Sequence, residues 1–182
     1  MTATYDRPEH DYYATPQWAT RLFLATWSTC VPPPARILEP AAGGQALLGP
    51  LRETWPAAEI VARDLQPQPG DEGIVEQCDF WLDDRPEVFD MVLTNPPYTA
   101  AETFVRQGMA KVRRGGHVVL FLRGGFLGTA ERADLWKTMM PEWIFVLPVR
   151  PNFKGKGTDS VWSGWYVWKN APSREFAKLV VL

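Results

Sequence analysis

Cysteine and histidine are scarce in this 182-residue chain, with two of each: Cys30, Cys78, His10 and His117. Two cysteines make neither a disulfide framework nor a metal-ligand set, and no metal is expected. Long apolar runs are missing, since none approaches the ~18 residues that span a bilayer. The start, Met1-Thr2-Ala3-Thr4-Tyr5-Asp6, lacks the basic and apolar regions of a signal peptide. A cytoplasmic protein with no membrane partner is therefore expected. An excess of either charge is also absent. Nineteen Lys and Arg against twenty-one Asp and Glu leave a net −2, which excludes a bulk polycation but leaves room for a local basic patch.

What is present favours a folded chain. Hydrophobic residues make up 46% and charged residues 22%, the balance of a globular protein. The length favours a single domain over residues 1–182, able to bury a continuous core without disulfides or metal. Seventeen prolines, singly or in clusters such as Pro32-Pro33-Pro34, punctuate connections. Nine tryptophans are many for this length and read chiefly as core residues.

Thr15 as N-cap and Pro16 at the first helical position open a helix to Trp27, with Trp18, Leu22 and Ala25 as one face and Leu24 and Trp27 flanking it. Arg36-Ile37-Leu38-Glu39-Pro40 reads as a strand entering the turn Ala41-Ala42-Gly43-Gly44, and a helix follows from about Gln45 to Trp55. A second strand covers 59–64 and a weak third 74–80. The fourth, Phe89-Asp90-Met91-Val92-Leu93, is nearly all apolar, as suits a parallel strand buried on both faces. Residues 101–112 read as a helix ended by Gly115-Gly116, and 130–139 as another helix. Strands five, six and seven read as 117–122, 143–149 and 161–168. This alternation implies a doubly wound α/β fold with a mostly parallel, seven-stranded, Rossmann-like sheet. Only a loop joins the last two strands, so the final strand is expected to be antiparallel.

In such a sheet, ligands bind beyond the carboxyl ends of the strands, near the point where strand order reverses. Three features fall at such ends. Glu39-Pro40-Ala41-Ala42-Gly43-Gly44 forms a turn whose glycines let a ligand approach the backbone. It lacks the phosphate-loop pattern, and an anionic Glu39 suits a cationic group better than a phosphate. Asp64 ends the second strand 21 residues after Gly43, where a carboxylate can accept from ribose hydroxyls. A solvated strand-end charge is the plain alternative. Asn95-Pro96-Pro97-Tyr98 follows a buried strand, and its two prolines remove N–H donors and stiffen the loop. An amide and carbonyls remain as acceptors beside an aromatic ring, which suits a planar substrate bearing an NH₂ group. A proline-rich turn with a packed tyrosine is the alternative there.

Thr94-Asn95-Pro96-Pro97-Tyr98 resembles the catalytic motif of the S-adenosylmethionine-dependent adenine-N6 DNA methyltransferases, in their small, phage-like form without a target-recognition domain. The resemblance runs over residues 12–168. Tyr13-Ala14-Thr15-Pro16 is similar to the segment that closes over the cofactor's methionine end, and Glu39-Pro40-Ala41-Ala42-Gly43 to the cofactor motif. Asp79-Phe80 stands where relatives bind the cofactor's adenine, and Phe89 to Leu93 resembles the strand before the catalytic loop. One departure is Gln45, in place of the second glycine of the cofactor motif, where a Cβ would crowd the cofactor or force a different turn.

The resemblance implies direct methyl transfer from S-adenosylmethionine to the N6 amino group of an adenine flipped out of duplex DNA. Asn95 and the Pro96 carbonyl would accept from the amino group, within a loop stiffened by Pro97, and Tyr98 and Phe153 would stack on the two faces of the base. Tyr13, Thr15, Glu39, Pro40, Ala41, Gly43, Asp64, Asp79, Phe80 and Asn95 would hold the cofactor. Neither cysteine lies near the catalytic loop in sequence, and an amine target needs no thiol. Arg123, Arg150, Lys154 and Lys156, at or beyond strands five and six, are read as contacts to the nucleic-acid backbone. Lys111, Arg113 and Arg114 read at least as well as complements of a helix dipole. The same loop serves amino groups in RNA, at guanine N2 or adenine N6, and a protein glutamine amide. A non-catalytic cofactor-binding subunit is the reading from another class. With no recognition domain in view, a separate specificity partner is compatible with the chain.

Overall fold

Neighbouring residues along the central strands are apolar in turn on both sides, and the structure buries both. A computed structural model describes residues 14–86, 88–151, 160–171 and 177–182. In chain order the elements are α1 (Gln17–Trp27), β1 (Arg36–Glu39), α2 (Leu48–Thr54), β2 (Glu59–Asp64), β3 (Val75–Gln77), β4 (Phe89–Thr94), α3 (Ala101–Lys111), β5 (Val112–Arg123), α4 (Ala133–Thr138), β6 (Trp143–Val146), β7 (Ser163–Lys169) and β8 (Lys178–Val181). They form one sheet in the order β3-β2-β1-β4-β5-β7-β6-β8. The first five strands pair in parallel, and β7 lies antiparallel between β5 and β6. The chain winds from β1 out to β3, returns to β4 beside β1, and continues the other way. Strand order therefore reverses between β1 and β4.

Each face of the sheet has its own core. Ile37, Met91, Leu93, Val119, Phe121, Trp165 and Val167 pack on Ala19, Phe23 and Trp27 of α1 and Leu51 of α2. Their neighbours Leu38, Val92, Val118, Leu120, Tyr166 and Trp168 pack on Val105 of α3 and Leu135 of α4. This is the period-2 alternation of a strand, buried twice over. Of the nine tryptophans, Trp27, Trp55, Trp165 and Trp168 are buried, while Trp18 and Trp81 are exposed.

Several sequence expectations shift. The buried face of α1 is Ala19, Phe23 and Trp27 with Thr20 and Leu24, rotated from the expected one. Phe23 stacks on Trp165 with centroids 4.9 Å apart, which turns Trp18 and Ala25 outward. Thr15 does not cap the helix, because Pro16 takes the cap position with no side-chain hydrogen bond. The helix expected from Gln45 begins only at Leu48, since Gln45 sits at φ 61°, which a right-handed helix cannot contain. Gly115 and Gly116 do not end a helix but lie within β5, which follows α3 directly. A Cβ on Gly116 would stand 2.8 Å from the Asp90 carbonyl oxygen, so glycine is needed for strand approach there. An eighth strand, β8, pairs in parallel with β6 at the sheet edge. No described helix is long and apolar enough to cross a membrane.

Candidate active site

β1 pairs with β4 through Leu38 and Val92, so the chains leaving Glu39 and Thr94 emerge side by side where strand order reverses. Glu39 is 0% exposed, and its Oε1 accepts the Ala41 N–H at 3.1 Å, closing the first bend of the turn. The Ala42 N–H donates to the Arg63 carbonyl at 2.9 Å. The Gly43 N–H donates to Asp64 Oδ2 at 2.8 Å, and the Gln66 N–H to Asp64 Oδ1 at 2.8 Å. Asp64 thus joins the turn after β1 to the loop after β2. Each of its oxygens keeps a second lone pair with which to accept a hydroxyl.

Burial pushes the Glu39 carboxyl up to about 8, against the lowering influence of the Ala41 N–H. Glu39 Oε2 and Thr94 Oγ1 are buried and form no hydrogen bond among the described residues. A cation arriving beside a buried carboxyl of this kind favours its ionised form, so that the two would pair. These residues fit the cationic, ribose-bearing cofactor that the sequence implies.

Gln45 keeps the left-handed backbone that glycine would adopt, a conformation costing a residue with a side chain about 1–2 kcal/mol. Its Nε2 donates to Oδ1 of the buried Asp71 at 2.5 Å. A hydrogen bond to a charged group is worth about 1.5–3 kcal/mol, enough to offset that strain.

The second loop follows β4. Asn95 is half-buried and Pro96 buried, and the Pro97 carbonyl accepts the Ala100 N–H at 2.9 Å. This makes a single 3₁₀ turn, Tyr98–Ala100, leading into α3. Arg123, at the end of β5, places its guanidinium carbon 4.9 Å from the centroid of the Tyr98 ring. A residue read from sequence as a rim contact thus also braces the loop tyrosine.

Other expected site residues are more scattered. Asp79 is exposed and its Oδ1 accepts the Trp81 N–H at 2.9 Å. Phe80 is buried against Phe104, with centroids 5.0 Å apart, so its ring already serves the core. Thr15 is buried, and its hydroxyl has no hydrogen-bond partner among the described residues. Arg150 is exposed and donates to the Ser160 carbonyl at 3.2 Å. Tyr13, Phe153, Lys154 and Lys156 lie outside the described residues. His117 packs edge-on to Trp27, and burial lowers its pKa to about 4, which keeps it neutral and in a packing role.

Sequence reasoning missed a buried ionic cluster beside the site. Arg63, 2% exposed, donates to Glu76 at 2.9 Å and to Asp83 at 3.1 Å. Arg85 at 2.8 Å and Lys111 at 3.3 Å complete the surroundings of Asp83. Burial alone would raise the Asp83 pKa, but Arg85 and Lys111 hold it below the ordinary carboxylate range. Lys111 is therefore a buried counter-ion rather than a free helix-end charge. The available signal was Arg63, a basic residue that follows the apolar Ile60-Val61-Ala62 of β2 directly before Asp64.

No family model and no curated protein matches the sequence. Solved structures do match. One is a Listeria monocytogenes protein provisionally assigned as a class I S-adenosylmethionine-dependent methyltransferase, with 16% identity and TM-score 0.70, covering 97% of this chain and 68% of that one. A modification subunit of a provisionally assigned type I restriction enzyme from Vibrio vulnificus has 16% identity and TM-score 0.68, over 94% of this chain and 47% of that one. A provisionally assigned RNA methyltransferase from Pyrococcus horikoshii has 14% identity and TM-score 0.66, over 94% and 91%. This chain spans less than half the length of the restriction subunit. At these identities the likeness establishes the fold: the doubly wound sheet, with its antiparallel β7, is that of the class I methyltransferases.

Proposed function

We propose that this chain transfers a methyl group from S-adenosylmethionine to an exocyclic amino group, with adenine N6 in DNA as the target. The observation that carries this reading is the emergence of the Asn95–Tyr98 loop beside the Glu39–Gln45 turn where strand order reverses. A turn suited to a cation and a ribose thus adjoins a loop of acceptors with an aromatic ring.

When bound, S-adenosylmethionine supplies a methyl group activated by its sulfonium. Glu39 meets the cofactor's positive charge, and Asp64 accepts from its ribose hydroxyls. Tyr13, Thr15, Pro40, Ala41, Gly43, Asp79, Phe80 and Asn95 complete its surroundings. Asn95 Oδ1 and the Pro96 carbonyl accept hydrogen bonds from the target NH₂. That draws the nitrogen toward pyramidal geometry, frees its lone pair from the ring, and holds it in line with the methyl. Tyr98 stacks on one face of the base and Phe153 on the other, offsetting the few kcal/mol of base flipping. Arg123, Arg150, Lys154 and Lys156 contact the phosphates of the substrate. Methyl transfer by this chain needs no specificity partner, and such a partner, where one binds, would set target choice.

The test is incubation with methyl-labelled S-adenosylmethionine and unmethylated duplex DNA, followed by nucleoside analysis. Labelled N6-methyladenine is expected. Label entering only RNA or protein would replace the substrate, and no label in any acceptor would overturn the enzymatic reading.

A further inference from the structure

Two carboxylates, one ending β2 and one in the loop after it, reach back to the turn after β1, and only the first was legible in the sequence. Asp64 takes the Gly43 N–H. Asp71 takes the Gln45 side chain, and its geometry is that of a built latch. One Asp71 oxygen accepts Gln45 Nε2 at 2.5 Å, and the other accepts the Gln68 N–H at 2.8 Å. The Asp71 main-chain carbonyl accepts the N–H groups of Ile74 at 2.9 Å and Val75 at 3.0 Å, which fixes it to the start of β3. Asp71 is buried, and these donors give each of its oxygens a hydrogen-bond partner.

On the other side, Gln45 is the one described residue other than glycine with a positive φ. Its N–H donates to the Ala42 carbonyl at 2.8 Å, and its carbonyl accepts the Leu48 N–H at 3.1 Å. The side chain is thus anchored to a backbone that alone closes the turn and leads into α2. A glutamine held in a conformation that favours glycine needs a reason to be there, and the bond to Asp71 is that reason.

We propose that Gln45 and Asp71 form a latch that fixes the turn after β1 against the loop after β2, making Gln45 a positioning residue for S-adenosylmethionine. This rests on the proposed cofactor reading, because those two segments are the ones that would flank the nucleoside. The latch holds Gly43 and Asp64 in the relative position that the ribose requires before it arrives, so its effect falls on cofactor affinity.

The experiment is calorimetric titration of S-adenosylmethionine and S-adenosylhomocysteine into the wild type, Gln45→Gly, Gln45→Asn and the double variant Gln45→Gly with Asp71→Asn, with thermal unfolding of each. Glycine relieves the left-handed backbone, and asparagine tolerates it but is too short to reach Asp71, so both keep the turn while opening the latch. Both are expected to bind each ligand about tenfold more weakly, and Gln45→Gly, which exchanges the lost bond for relief of the left-handed backbone, keeps a melting temperature close to wild type. Asp71→Asn in the Gln45→Gly background should then add little further loss. Wild-type affinity in Gln45→Gly and Gln45→Asn would overturn the latch and leave the cofactor reading standing. A fall in melting temperature with unchanged affinity would assign the bond to stability alone and likewise overturn it. Failure of the wild type to bind either ligand would remove the cofactor reading and the latch together.

Discussion

A carboxyl with a pKa of about 8 must change its charge when a cation settles beside it, and Glu39 is such a group. Its folded-state pKa lies above the ordinary 4.5, so the folded protein holds this proton more tightly than the unfolded chain does. The resulting stabilisation is full below pH 4.5 and is lost as pH rises through about 8. Glu39→Gln carries no such proton. Relative to that variant, the wild type should lose on the order of 3 kcal/mol of stability between pH 5 and 8.5, read by urea unfolding at each pH. A stability difference that does not change with pH would show that Glu39 is ionised throughout. At this scale, the turn residues Glu39, Gly43 and Asp64 and the loop Asn95–Tyr98 were legible because each lies at a strand end with distinctive chemistry. The Gln45–Asp71 bond and the stacking of Arg123 on Tyr98 were not, because each depends on which loops meet in space.

At the scale of elements, the Arg63–Asp83 pair fastens β2 to the connection before β4, and Lys111 adds the last turn of α3. Arg63→Met should cost roughly 2–4 kcal/mol, since it removes one partner from a buried acid that keeps two others. Equilibrium urea unfolding of wild type and variant measures this. A loss below about 1 kcal/mol would mean that Asp83 needs only Arg85 and Lys111. The strands were the more readable elements. β4, β5 and β7 are apolar on both faces, a pattern that periodicity reports directly. The face of α1 was misjudged because Ala19, Phe23 and Trp27 are chosen by the rings of Phe145 and Trp165, which lie more than a hundred residues away in sequence. The short β8, mostly exposed, carries no burial pattern to read.

For the whole molecule, a net charge of −2 means that any affinity for nucleic acid has to come from a local set of cations. Arg123 and Arg150 stand at or beyond the ends of β5 and β6, and Lys154 and Lys156 follow in sequence. Replacing both lysines by alanine should weaken DNA binding uniformly across sequences and flatten the salt dependence of log affinity by about two. An unchanged slope, measured by fluorescence anisotropy over a salt series, would take those lysines out of the interface. Doubly wound topology was predictable from alternating strands and helices, and the antiparallel last pair from the missing helix between them.

In the proposed reaction one loop prepares the amine while the neighbouring turn holds the cofactor, and Asn95→Ala weighs the first role against the second. The most direct measurement follows labelled methyl transfer to duplex DNA alongside S-adenosylmethionine affinity, in wild type and in that variant. Transfer should fall by at least a hundredfold, about 2.7 kcal/mol of transition-state stabilisation, while cofactor affinity changes by less than tenfold. Transfer that survives in Asn95→Ala would contradict the assignment of the loop.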